Sequence, residues 1–162
     1  MSHPTPSPQT LDSYFAPAVE ATIAGMRASN GGPFGATLVD SDGKIVVAVG
    51  NTVVRETDPS GHAEMVAVRE ACKRLNTLDL STYTMYATCE PCPMCVGVMM
   101  LAGIKTCYYA STHDDAAAND FSVQHIIDYL DGSDKSALDM VHLDEGRDDC
   151  ASIWTEYQAL KG

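Results

Sequence analysis

Residues 62–95 read HAEMVAVREACKRLNTLDLSTYTMYATCEPCPMC, and this stretch decides the fold. Over 62–75, Met65, Val66, Val68, Ala71 and Cys72 recur at the spacing of one helix face. Residues 83–88 are a β-rich run. Pro91 then opens a second helix that runs to 102, with Gly103 as its stop. The stretch is therefore a helix, a strand and a helix. Its reactive side chains, His62 and Glu64 at one end and Cys92 and Cys95 at the other, sit at the two helix starts.

Upstream, Phe15, Val19, Ile23 and Met26 predict a helix over 11–29, ended by Asn30-Gly31-Gly32-Pro33. Residues 34–39 and 44–49 flank the turn signal Asp40-Ser41-Asp42-Gly43 and read as a β-hairpin. A polar loop, 50–61, leads to His62. Downstream, 105–110 reads as another strand, 138–143 as a further one, and 123–130 and 148–160 as helices. Strands alternating with helices predict an α/β fold, a three-layer α/β/α sandwich around a mixed five-stranded sheet. One domain is expected over 11–162. Residues 1–10 are proline-rich and expected to be a disordered leader.

The chain has 162 residues and a formal net charge of −12. That surplus repels phosphate, and Lys73-Arg74 is the only adjacent basic pair, so no nucleic-acid partner is expected. No apolar run reaches the roughly 18 residues of a membrane span. The first eight residues lack the basic and apolar regions of a signal peptide, so the cytoplasm is the expected compartment.

Three of the six cysteines lie in Cys89-Glu90-Pro91-Cys92-Pro93-Met94-Cys95. In a reducing compartment such clustering reads as metal binding or catalysis rather than disulfides. Cys92 and Cys95 stand three apart in the first turn of a helix, so both sulfurs face one point. The helix N-terminus favours their thiolate forms. With an imidazole nitrogen from His62 they make a soft three-ligand zinc site whose fourth position is open to water. Glu64 stands beside that site, where a carboxylate can take a proton from water and return it to a substrate.

Three other readings attach to the same residues. Cys89 with Cys92, Cys95 and His62 would close a structural Cys3His site, which leaves Glu64 without a role. An iron–sulfur cluster would want a further Cys-Pro where Val96-Gly97-Val98 stands. A metal-free core would leave the register of the two motifs unexplained. Cys72, Cys107 and Cys150 read as bystanders, and His113, His125 and His142 have no assigned role.

His-x-Glu followed by Pro-Cys-x-x-Cys is the signature of zinc nucleobase deaminases, and the chain resembles the cytidine-deaminase-like superfamily. It is more similar to the guanine deaminase branch. The resemblance rests on Asn30-Gly-Gly-Pro-Phe-Gly35, Asp58-Pro-Ser-Gly-His-Ala-Glu64, Ala71-Cys-Lys73, Cys89-Glu-Pro-Cys-Pro-Met-Cys95 and Ala110-Ser-Thr-His-Asp-Asp-Ala-Ala117. It implies a Zn2+ enzyme in which Glu64 shuttles protons and His62, Cys92 and Cys95 hold the metal. It further implies that Asn51 reads the ring edge of a base and that Phe34 lines the same pocket. Where that branch carries Gly-Phe-Asp-Asp, this chain has Asn119-Asp120-Phe121-Ser122, so Asp120 is the candidate for the base-reading acid. The implied substrate is a small nucleobase, foremost guanine, and the implied assembly a homodimer. Cytosine, guanosine, creatinine, a triazine or a tRNA adenosine are the alternatives, the last expecting a basic pocket mouth.

Overall fold

A computed structural model describes residues 6–161. The chain divides into two compact units, Met1–Gln124 and His125–Gly162, where the sequence suggests a single domain over 11–162. Residues 1–5 of the expected leader lie outside the described residues. The rest of that stretch contains a helix start. Ser7 caps α1 (Pro8–Arg27), its hydroxyl accepting from the Thr10 N–H at 3.2 Å. Pro8 stands at the first helical position, where its missing N–H costs no intrahelical bond. Pro17 consequently falls inside the helix rather than near its start.

The first unit continues with β1 (Gly35–Val39), β2 (Ile45–Gly50), α2 (Val53–Glu56), α3 (Ala63–Leu75), β3 (Thr84–Cys89), α4 (Pro93–Leu101), β4 (Thr106–Ser111) and α5 (His113–Ala117). Its sheet runs β2-β1-β3-β4. The β1–β2 and β1–β3 pairs are antiparallel, and β3–β4 is parallel. The sheet is therefore mixed, but it has four strands among the described residues rather than five. Residues 138–143, expected as a strand, form none. Leu138, Met140, Val141 and Leu143 there are exposed, and β propensity without a partner strand does not make a ladder.

Alternation along the strands assigns the helices to opposite faces. Ala36, Leu38, Val47 and Met85 point to one face, where Ala63, Ala67, Val68 and Ala71 of α3 meet them with Met99 of α4. The alanine stripe of α3 lets that helix lie close to the sheet. On the other face, Tyr86 packs against Tyr14 and Phe15 of α1 and stacks on Tyr108. Gly35 and Gly50 pair across β1 and β2 under α1. A Cβ on Gly35 would stand 2.7 Å from the Ala18 carbonyl, so only glycine lets the helix sit there. This contact fixes the strand ends from which Phe34 and Asn51 emerge.

The second unit carries most of α6 (Gln124–Asp131) and all of α7 (Arg147–Lys161). No helix among the described residues is long and apolar enough to cross a membrane.

Candidate active site

His62 and Cys92 are the N-cap residues of α3 and α4, so the two helix N-termini converge on one point. A tight loop delivers His62. Asp58 accepts from the Ser60 N–H at 2.8 Å and the Ser60 hydroxyl at 2.7 Å, and Arg69 bonds both side chains. The Gly61 carbonyl accepts from the Thr52 N–H at 2.8 Å. A Cβ at Gly61 would meet the Thr52 hydroxyl at 2.8 Å, which reserves this position for glycine.

The donor atoms form a triangle. Cys92 Sγ lies 3.6 Å from Cys95 Sγ and 3.5 Å from His62 Nδ1, and Cys95 Sγ lies 3.7 Å from that nitrogen. A tetrahedral zinc with sulfurs at about 2.3 Å and nitrogen at about 2.0–2.1 Å separates the sulfurs by about 3.8 Å and each sulfur from the nitrogen by about 3.6 Å. The triangle thus has zinc dimensions, and the Cys2His donor set suits that ion. Among the described residues these three form the single cluster able to hold a metal.

Burial of two thiols, an imidazole and a carboxylate together shifts their protonation. The hydrogen bond between the two sulfurs pulls the Cys92 thiol well down, and the same bond pushes Cys95 up. The bond to Cys92 raises His62 against the opposing effect of burial. Glu64 is 7% exposed, and burial raises its pKa. A dication at the centre of the triangle compensates this concentration of negative charge.

Cys89 is not part of the triangle. It is buried, and its thiol donates to the Thr112 carbonyl at 3.4 Å, with burial pushing its pKa up. The arrangement differs from the closed Cys3His site, because Cys89 stands outside the cluster, and His62 and Cys92 line a cavity.

That cavity has a volume of about 360 Å³, near the small end of the range for ligand pockets. His62, Glu64 and Cys92 line it together with Phe34, Asn51 and Asp120. Phe34 meets Phe121 edge-on, with ring centroids 5.2 Å apart. Asn51 Oδ1 accepts from the Val53 N–H at 3.0 Å, so its amide is oriented with the NH2 group as the remaining donor. Asp120 adopts a left-handed backbone, φ 70°, just after α5.

Sequence reading missed two further wall residues. Glu90 accepts from the His113 N–H at 3.1 Å, and His113 Nε2 lies 3.3 Å from the Pro91 carbonyl. Both line the cavity. They tie α5, and with it Asp120 and Phe121, to the segment that carries Cys92. A signal for α5 existed. Thr112 and Asp115 form a capping box, in which the Thr112 hydroxyl accepts from the Asp115 N–H. Asp114-Asp115 reads in isolation as a solvated turn.

Comparison with known proteins agrees with this geometry. Residues 9–111 match the family described as the cytidine and deoxycytidylate deaminase zinc-binding region. The chain is 42% identical over 114 residues to a guanine deaminase of Bacillus subtilis, covering 70% of this chain and 72% of that one. The solved structure of guanine deaminase from that organism is similar with a TM-score of 0.78 at 33% identity, over 98% of this chain and 95% of that one. A tRNA-specific adenosine deaminase of Aquifex aeolicus is 38% identical over 96 residues, 59% of this chain and 62% of that one. The structure of a guanine deaminase from Nitrosomonas europaea is similar with a TM-score of 0.61 at 25% identity, over 75% of this chain and 76% of that one.

Proposed function

Because the chain belongs to the cytidine and deoxycytidylate deaminase zinc-binding family, and is accordingly a zinc-dependent hydrolytic deaminase, we propose that its substrate is guanine, converted with water to xanthine and ammonia. The observation that carries this reading is the placement of Glu64 beside a zinc-sized triangle, two of whose corners, His62 and Cys92, line one small cavity with Phe34 and Phe121.

His62, Cys92 and Cys95 are assigned as the metal ligands. Zinc held there supplies the Lewis acidity that makes water a nucleophile near neutral pH. Glu64 carries both protons of the water in turn, the first to the ring nitrogen beside the reacting carbon as the C–O bond forms, the second from the added hydroxyl to the amine, so that the C–N bond breaks, ammonia leaves and the carbonyl remains. Burial suits it to this work, because a raised carboxyl pKa brings its two protonation states closer in free energy near neutral pH. Phe34 and Phe121 hold the planar ring by its faces and edges. Asn51 donates from its NH2 group to an acceptor on the ring, and Asp120 accepts from a ring N–H. Glu64 exchanges protons with the ligand while these side chains fix its orientation.

A second reading follows from the Aquifex relative, a tRNA-specific adenosine deaminase. The net charge of −12 weighs against it, because a tRNA-sized polyanion has to approach an acidic molecule. The likeness to the Bacillus guanine deaminase, extending over 98% of this chain, supports the free base. We read the particle as a cytoplasmic homodimer. Sedimentation as a monomer at working concentration would remove that part of the reading.

An ammonia-release screen decides the substrate. The panel is guanine, guanosine, cytosine, adenine, creatinine, a triazine and a tRNA anticodon stem-loop. Guanine is expected to show the highest kcat/KM. A higher value for any other member replaces guanine, and no release from any of them removes the enzyme reading.

A further inference from the structure

Ten lysines and arginines stand against 22 acidic residues in the whole chain, and three of them, Arg69, Lys73 and Arg74, fall together on α3. The fold gathers four of them. Arg55 of α2 and Arg69, Lys73 and Arg74 of α3 line one cavity of about 500 Å³ beside the end of β2. Glu56 and Glu70 are the only acids in that lining. Asp58, which pairs with Arg69 at 3.3 Å, makes a third acid, so the cluster carries a formal charge of +1 and the rest of the chain −13.

The cations differ in how they are held. Arg69 is part of the frame, since its guanidinium bonds Asp58 at 3.3 Å and Ser60 at 2.9 Å. Arg74 is pinned at the rim by a bond from Nη1 to the Val46 carbonyl at 3.1 Å, with Glu70 3.5 Å from Nη2. Arg55 is 56% exposed and pairs with its neighbour Glu56, a pairing that water screens. Lys73 is exposed and has no ion-pair partner among the described residues.

We propose that this cavity is a binding site for a small polyanion of the pyrophosphate class, separate from the metal-bearing cavity. Guanidinium forks and an ammonium suit phosphate oxygens. A concave positive surface on a negative molecule concentrates its field where a small anion can enter. The same distribution disfavours a long polyanion, because nucleic acid bound here would run past the cluster onto a chain whose remainder carries −13. The proposal stands on charge and shape and does not depend on the substrate of the metal site.

The test is calorimetric titration of the zinc-loaded full chain with pyrophosphate, at low and at physiological salt, beside Lys73→Ala and Arg55→Ala. One saturable site is expected, weakened by salt and weakened about five- to tenfold by each substitution through loss of one charge-assisted contact. GDP distinguishes the sources of the diphosphate group: tighter binding than pyrophosphate points to a nucleotide, equal or weaker binding to the free anion. Absence of saturable binding by the wild type overturns the proposal. So does an affinity unchanged in both variants, which would put pyrophosphate on the zinc instead. Tighter binding of a single-stranded RNA, lost in the same variants, also overturns it in favour of nucleic acid.

Discussion

Glu64 Oε2 lies 3.5 Å from Cys95 Sγ, against one corner of the donor triangle and outside its three ligand atoms. The two residues are 31 positions apart and come from different helix starts. The contact is what separates a proton carrier from a fourth ligand: the carboxylate is within reach of whatever the metal activates, yet the triangle is complete without it.

Glu64→Gln is therefore expected to retain zinc and fold while losing turnover. Positioned proton transfer contributes about 10²–10⁴-fold, and one carboxylate here serves several transfers. Metal analysis and steady-state kinetics check it. A variant that loses zinc, or one that turns over like the wild type, contradicts the assigned role.

Cys92→Ala and Cys89→Ser should behave in opposite ways. The first removes a corner of the triangle and is expected to abolish stoichiometric zinc. The second removes a thiol that donates to the Thr112 carbonyl, and zinc and measurable activity should survive. Zinc loss in Cys89→Ser would restore the closed four-ligand site.

Asn51 has two roles that substitution can separate. Its Oδ1 accepts from the Val53 N–H, which leaves the NH2 group as a donor on a residue that lines the cavity. Asn51→Ala removes both and is expected to cost about 2–4 kcal/mol in kcat/KM, from a buried polar contact and a lost turn bond. Asn51→Asp keeps the acceptor for Val53 but loses the donor. It should keep the loop and zinc while KM for guanine still rises. Wild-type kinetics in Asn51→Asp would show that the donor reads nothing.

Acid should loosen the loop before His62. The Ser60 hydroxyl, foremost, with its N–H and Arg69, holds the Asp58 carboxyl below its ordinary value. A depressed folded-state pKa adds stability that is present above the unfolded value, about 3.9, and is lost as pH falls through the folded one. The Ser60 amide resonance is expected to shift in that acid range, and Asp58→Asn should abolish the transition. A loop that tightened on acidification would have the wrong sign.

Much of the site was legible in the sequence because its chemistry is local. A histidine and a glutamate two apart, and two cysteines three apart, each at a helix start, need only the helix to aim them. The alternation of apolar and polar runs likewise announced the helices and strands that make the sheet. The short elements escaped. The helices α2 and α5 have 4 and 5 residues, too few for periodicity to show. The start of α1 lay in Ser7-Pro8, a cap followed by a first-turn proline, inside a run whose prolines read as a leader.

The sequence by itself determined the types and spacing of the three donor residues, the carboxylate two residues from His62, and the order of the core elements. Only the tertiary structure decided what encloses them. It spent the Asn51 acceptor on the Val53 amide, brought Glu90 and His113 together across 23 positions to tie α5 to the Cys92 segment, and turned Cys89 toward the Thr112 carbonyl. It left 138–143 without a partner strand, and it brought Arg55 to the same cavity as Arg69, Lys73 and Arg74, which α3 already groups. The physical reason is range. Helix starts and side-chain periods are set by neighbours a few residues away, whereas a hydrogen-bond partner, a strand partner or a charge cluster exists only once distant segments have packed.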